Sequence, residues 1–178
     1  MTKNSLALIG FMATGKTTIG QMLANRLGND YRFIEMDRII VKKAGKSIPE
    51  IFKEDGEIAF RELEMAVCKE VSKKDKVIIS CGGGVVLNKL NIDYLKQNCH
   101  IILLKATAEE IYKRAMRDGQ ETRPVIDKKD PKAEIEKVLV FRKPFYEAAA
   151  EIIIETTGRE IEEITKEIIQ KTKVKSDK

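Results

Sequence analysis

Tryptophan is absent from this chain of 178 residues, and aromatic residues of all kinds make up only 6% of it. So sparse a supply argues against a surface on which single-stranded nucleic acid stacks its bases. Histidine occurs once, as His100, at the head of an apolar run. One imidazole builds neither a histidine metal cluster nor a histidine-based triad, so His100 is expected to be structural. Cysteine occurs three times, as Cys68, Cys81 and Cys99, an odd number without C-x-x-C spacing. That argues against a disulfide framework or a zinc site and fits a reducing cytoplasm. No apolar run reaches membrane-spanning length, and Met1–Ser5 leads straight into a short strand with no secretory leader ahead of it. The expectation is a cytoplasmic monomer with no nucleic-acid or membrane partner.

The residues that are present suffice for one domain over 1–178, with 43% hydrophobic residues to build a core. The net charge of +5 has two readings. It is a matter of solubility and the basic tail Lys171–Lys178, or it attracts polyanions such as nucleotides. Short apolar runs predict strands at Ser5–Ile9, Tyr31–Glu35, Val77–Ser80, Ile101–Leu104 and Glu151–Ile154. Helical spacing predicts helices at Thr17–Leu27, Glu57–Ser72, Ala108–Arg117, Pro131–Ala149 and Arg159–Lys171, the fourth broken at Pro144. Alternation of this kind predicts an α/β fold with a parallel sheet covered on both faces. Two stretches fit it poorly. Gly45–Gly56 predicts a helical insert, and the polar Asp118–Asp130 predicts a mobile surface loop with a functional role.

The strongest motif is Gly10-Phe-Met-Ala-Thr-Gly15-Lys16-Thr17, a G-x-x-x-x-G-K-[ST] loop between a predicted strand and a predicted helix. Gly10 and Gly15 permit the close approach of backbone amides to phosphate, and the helix N-terminus adds its positive dipole end. Lys16 is expected on the outer phosphates and the Thr17 hydroxyl on Mg²⁺. No aspartate follows the third strand, where Val77-Ile-Ile-Ser80 runs into Cys81-Gly82-Gly83-Gly84. A further metal-associated carboxylate must therefore come from elsewhere. Glu35 and Asp37, two apart and read as facing one way from an extended strand, are the candidates. The plainer reading makes Asp37 the cap of a helix beginning near Arg38.

Three successive glycines, Gly82–Gly84, suggest something that approaches the backbone closely, or else a simple tight turn. Arg61 and Glu64 stand at i and i+3 on a predicted helix. They form either an exposed ion pair of small value or a guanidinium held ready for a substrate carboxylate.

Taken in order, these motifs resemble the shikimate kinase family over about Leu6 to Ile169. The matching series is the phosphate loop, Phe33-Ile-Glu-Met-Asp37, Ser47–Phe52, Asp55–Glu64, Gly82–Gly84, Arg123-Pro124, and Arg142 with Tyr146. The resemblance implies a three-layer P-loop fold with a five-stranded parallel sheet of order 2-3-1-4-5, a helical substrate-binding insert over about 37–64 and a lid over about 118–130. It implies ATP and Mg²⁺ as cofactors and shikimate as the small-molecule acceptor, phosphorylated at its 3-hydroxyl. ATP would meet Gly10, Ala13, Thr14, Gly15, Lys16, Thr17 and Thr18, with Arg117 (or Arg114), Arg123 and Arg159 around the nucleotide. Thr17 and Glu35 would serve the metal. Shikimate would be held by Asp37, Arg61, Gly82, Gly83, Gly84 and Arg142 between Phe52 and Phe60, with Glu64 orienting Arg61. Lys16, Asp37 and Arg123 would carry the catalysis. The family usually has aspartate where this chain has Glu35, which keeps the charge and adds a methylene. The alternatives are another small-acceptor kinase, such as a gluconate or nucleoside monophosphate kinase, and a non-catalytic nucleotide-binding homologue. The presence of Lys16, Asp37, Arg61, Arg123 and Arg142 together argues against the last.

Overall fold

Ser5–Ile9 has no polar alternation, and it forms β1, buried at all five positions. A strand apolar on both sides belongs in the middle of a parallel sheet. In the computed structural model, which describes residues 3–117 and 130–174, β1 is the third strand of five. The others are β2 (Arg32–Glu35), β3 (Val77–Ser80), β4 (Cys99–Lys105) and β5 (Ile152–Glu155). All pairings are parallel, in the expected order β2-β3-β1-β4-β5. Positions 118–129, which hold Arg123 and most of the expected lid, lie outside the described residues.

Alternate residues of each inner strand feed two cores. Ala7, Ile9, Ile79, Ile101 and Leu103 face one side, where α4 (Gly56–Val71), α5 (Lys89–Asn98) and α7 (Pro131–Ala149) bring Val67, Leu95 and Tyr146. Leu6, Leu8, Ile78, Ile102 and Leu104 face the other, against Ile19 and Leu23 of α1 (Lys16–Leu27) and Ile164 and Ile168 of α8 (Ile161–Thr172). Leu23 is fully buried, so truncating it to alanine should cost roughly 2–5 kcal/mol. A third cluster joins Phe11, Ile111 and Ile135, and so fixes the phosphate loop to α6 (Ala108–Arg117) and α7.

Several expectations need correction. The chain turns helical directly after Glu35: α2 spans Met36–Ala44, with Glu35 at its N-cap position. Asp37 therefore lies in the first turn of a helix, neither on an extended strand nor at the cap. A carboxylate there is favoured by the helix dipole. The helical insert is α3 (Ile48–Glu54), started by a capping box between Ser47 and Glu50. The polar segment Lys89–Asn98 forms α5, which the pattern did not predict. Pro144 does not break α7, which runs unbroken to Ala149. Proline removes one backbone donor, and the carbonyl four residues back belongs to Val140, itself 74% exposed, where water can satisfy it. His100 lies within β4, its Nδ1 3.0 Å from Glu151 Oε2. The three cysteines are free and buried. No helix among the described residues is long and apolar enough to cross a membrane.

Candidate active site

β1 and β3 end level with one another, Leu8 beside Ser80, so the phosphate loop and the triglycine turn emerge side by side at the carboxyl edge of the sheet. This edge is where open α/β sheets bind ligands. A cleft of about 1040 Å³ lies there, lined by the loop, by Glu35 and Asp37, by α3 and α4, by Gly82–Gly84 and by Arg142.

At the phosphate end Gly10 has φ 143°, and a β-carbon on it would come 2.4 Å from the Leu104 carbonyl oxygen, so only glycine fits. Ala13 adopts a left-handed φ of 56° and Gly15 one of 95°. The loop fastens to itself. Thr14 Oγ1 donates to Phe11 O at 2.8 Å, and Lys16 Nζ donates to Gly10 O and Phe11 O at 2.9 and 2.7 Å. Gly15 holds the N-cap position of α1, so the loop amides gather at a helix N-terminus, a natural anion site. Thr17 and Thr18 complete this end of the lining.

Glu35 ties the start of α1 to the head of α2. Thr17 Oγ1 donates to its Oε1 at 2.9 Å, and Arg38 Nε sits 2.7 Å from its Oε2. A hydroxyl beside a carboxylate is a hard-oxygen pair that suits Mg²⁺ held mainly by phosphate and water. The residues therefore fit the metal the resemblance implies. No cluster of three or more histidine, cysteine or acidic groups able to hold a metal by itself exists among the described residues.

The triglycine turn is shaped by charged groups. A β-carbon on Gly82 would come 3.1 Å from both Asp37 Oδ1 and Glu64 Oε1. One on Gly83 would meet Arg142 Nη1 at 3.4 Å, and one on Gly84 would meet Arg61 Nη1 at 2.5 Å. Close approach accounts for Gly84 and, less tightly, for Gly82, while a β-carbon on Gly83 would make ordinary contacts. Arg61 donates to Glu64 Oε2 at 2.9 Å and contacts Glu57 Oε1 at 3.2 Å, while its guanidinium stands 5.2 Å from the centre of the Phe60 ring. Phe52 packs on Phe60 with ring centres 4.6 Å apart.

Glu64 is only 1% exposed, so the exposed-pair reading is wrong. Burial pushes its carboxyl above the ordinary range, and Arg61 pulls it back. Its Oε1 and the Nε of Arg142 are buried without a hydrogen-bond partner among the described residues. Buried polar atoms of that kind call for an explanation, and a polar ligand beside them supplies one. Arg142 lies over the Phe11 ring, 5.8 Å from its centre. Neither Phe11 nor Glu57 was singled out from sequence. For Glu57 the signal was available, since it stands four residues before Arg61 on the same helix. The buried thiols are no candidates for chemistry, because burial raises Cys68 and Cys99 to about 12 and Cys81 well above its ordinary value.

At the far end Arg114, Arg117 and Arg159 line the cleft. Arg114 is a tie: it bonds Glu110 at 2.8 Å, Thr156 O at 2.9 Å and Ala13 O at 3.3 Å, joining the phosphate loop to the segment after β5. Arg159 pairs with Glu167 at 2.8 Å.

A glycine loop at a helix N-terminus, sharing one cleft with the guanidinium groups of Arg61 and Arg142 on a parallel sheet of order 2-3-1-4-5, is the architecture of a P-loop kinase. The family model for shikimate kinase matches residues 12–173. The chain is 44% identical to a shikimate kinase of Enterococcus faecalis, over 95% of this chain and 98% of that one. It is 40% identical to one from Caldanaerobacter subterraneus over 93% and 94%. Among solved structures, shikimate kinase from Acinetobacter baumannii in complex with shikimate superposes with a TM-score of 0.87 at 32% identity, covering 95% of this chain and 92% of that one. A gluconokinase from Sinorhizobium meliloti reaches a TM-score of 0.57 at 14% identity, a likeness of fold alone. The chain belongs to the shikimate kinase family and is an enzyme.

Proposed function

We propose that this enzyme transfers the γ-phosphoryl group of ATP to the 3-hydroxyl of shikimate, giving shikimate 3-phosphate, a step of chorismate and aromatic amino-acid biosynthesis. The observation that carries the reading is the pair Arg61 and Arg142, packed against Gly84 and Gly83 in the same cleft as the phosphate loop. Two guanidinium groups beside a carboxylate, Asp37, suit an acceptor that carries both a carboxylate and hydroxyls.

In this reading Lys16 leaves the loop carbonyls for the outer phosphates, and the loop amides hold the rest of the chain of phosphates. Arg61 and Arg142 take the acceptor carboxylate, Glu64 holds Arg61, and Phe52 and Phe60 wall the ring. Asp37 accepts the hydroxyl proton as that oxygen bonds to the γ-phosphorus and the bond to ADP breaks. Mg²⁺, when bound, neutralises charge on the phosphates, and Thr17 and Glu35 are the residues that would hold it or its waters. Arg123 would meet the transferring group, and Arg117 and Arg159 would flank the nucleotide. Positioning and electrostatics supply most of the rate. The proposal takes 1–178 as one domain working as a cytoplasmic monomer.

A coupled assay of ADP release tests it, with ATP and Mg²⁺ alone or with shikimate, gluconate or a nucleoside monophosphate. Turnover with shikimate far above the rest is expected. Preference for another acceptor, or release indifferent to acceptor, overturns the proposal.

A further inference from the structure

Three consecutive glycines give Gly82–Gly84 more backbone freedom than any other sequence would, so something must hold the turn in one shape. Two of its carbonyls are held from within. Val85 N donates to Gly82 O at 3.1 Å, and Leu87 N donates to Gly84 O at 3.0 Å. The middle carbonyl is held from outside, by the Tyr146 hydroxyl, which donates to Gly83 O at 2.5 Å. Tyr146 is 4% exposed and stands on α7 one turn beyond Arg142, with its ring in the core under the sheet edge. Arg142 Nη1 lies against the same glycine.

We infer that Tyr146 is a positioning residue for the acceptor: by holding the Gly83 carbonyl it fixes the orientation of the 83–84 peptide and the register of Arg142 against the turn. The inference rests on the shikimate reading above, which places the acceptor against Gly83. In a trans peptide the carbonyl and the following N–H point in opposite directions. With Gly83 O drawn toward Tyr146, the Gly84 N–H is turned away from that hydroxyl, and both glycines line the cleft. Without the hydroxyl, this peptide is free to rotate, as no β-carbon resists it. The acceptor side then loses its shape while the phosphate loop keeps its own bonds.

Y146F keeps the ring and removes only the hydroxyl. Steady-state kinetics against each substrate, with the other saturating, should show the KM for shikimate raised about fivefold to tenfold, since the hydroxyl bonds Gly83 O and also meets the Arg142 side chain. The KM for ATP should stay within about twofold. If Y146F does not fold, the wild-type protein still answers by NMR. The Tyr146 hydroxyl proton should be slow to exchange and should shift when shikimate is added. A variant with both KM values unchanged and only a lower Tm, or with both raised alike, overturns the inference, as does a hydroxyl proton indifferent to shikimate. Wild-type protein that does not turn over shikimate overturns the functional reading, and the inference with it. Wild-type turnover of shikimate together with an unchanged shikimate KM in Y146F overturns the inference alone.

Discussion

The guanidinium of Arg61 occupies the space that a side chain at Gly84 would need: a β-carbon there would stand 2.5 Å from Nη1 and 3.0 Å from Cζ. The two residues come from different elements, α4 and the turn after β3, and together they line one wall of the cleft. G84A should therefore displace Arg61, a flexible side chain, and leave the backbone in place. On the proposed reading a displaced guanidinium would no longer make charge-assisted hydrogen bonds to the acceptor carboxylate, at a cost of about tenfold or more in affinity. Calorimetry should show shikimate binding weakened by that factor, with ATP binding nearly unchanged and the Tm within a few degrees of wild type.

Arg142 is placed differently. It lies over the Phe11 ring and against Gly83, and its planar fork can take a carboxylate at two points. R142K keeps the charge and loses the fork. Shikimate affinity should fall about tenfold and ATP affinity far less. Equal loss of both in a titration would mark Arg142 as a structural tie.

The two acids at the head of α2 should separate by their response to metal. Glu35 accepts from Thr17, while Asp37 faces Gly82. E35Q should need more Mg²⁺ for half-maximal rate and recover in part at high Mg²⁺. D37N should lose about a hundredfold or more in kcat, the usual contribution of a positioned base, with at most slight rescue by the metal. A Mg²⁺ titration of each variant distinguishes these outcomes, and near-normal kcat in D37N would remove Asp37 from the chemistry.

Glu64 links pH to stability. Burial raises its folded pKa above the ordinary 4.5, so the folded protein holds this proton more tightly than the unfolded chain does. Its contribution to stability is full below about pH 4.5 and is lost as pH rises through the folded value. E64Q has no such proton to lose. The Tm of E64Q minus that of wild type should therefore grow as pH is raised from 4.5 to 7.5. A difference that stays flat or shrinks over that range contradicts the buried-carboxylate assignment. The shikimate KM of E64Q should rise as well, since Arg61 loses the charge that orients it.

The sequence was most legible where chemistry leaves one residue type little choice. Gly10, Gly15, Lys16 and Thr17 stand at fixed spacing because a phosphate loop cannot be built otherwise, and the triglycine turn betrayed the side chains pressed against it. The five strands were legible because a parallel sheet buried on both faces needs unbroken apolar runs. Asp37 was misplaced because the change from strand to helix at Met36 is a change of backbone dihedrals that no apolar pattern records. Lys89–Asn98 hid as a helix because its few apolar residues, Leu90, Ile92 and Leu95, are diluted by polar ones. Glu64 looked like half of a surface pair, since spacing reports a neighbour along a helix and says nothing of what packs above it. The bond from Tyr146 to Gly83 spans 63 positions, and only the fold brings such partners together.

Transfer of the phosphoryl group to one hydroxyl of one acceptor can be observed in the product itself. Phosphorus and proton NMR of the material formed from ATP, Mg²⁺ and shikimate should show a single phosphate ester, coupled to the proton on carbon 3, appearing in step with ADP. Phosphate on another hydroxyl, or ADP accumulating with free phosphate and unaltered shikimate, would contradict the proposed reaction.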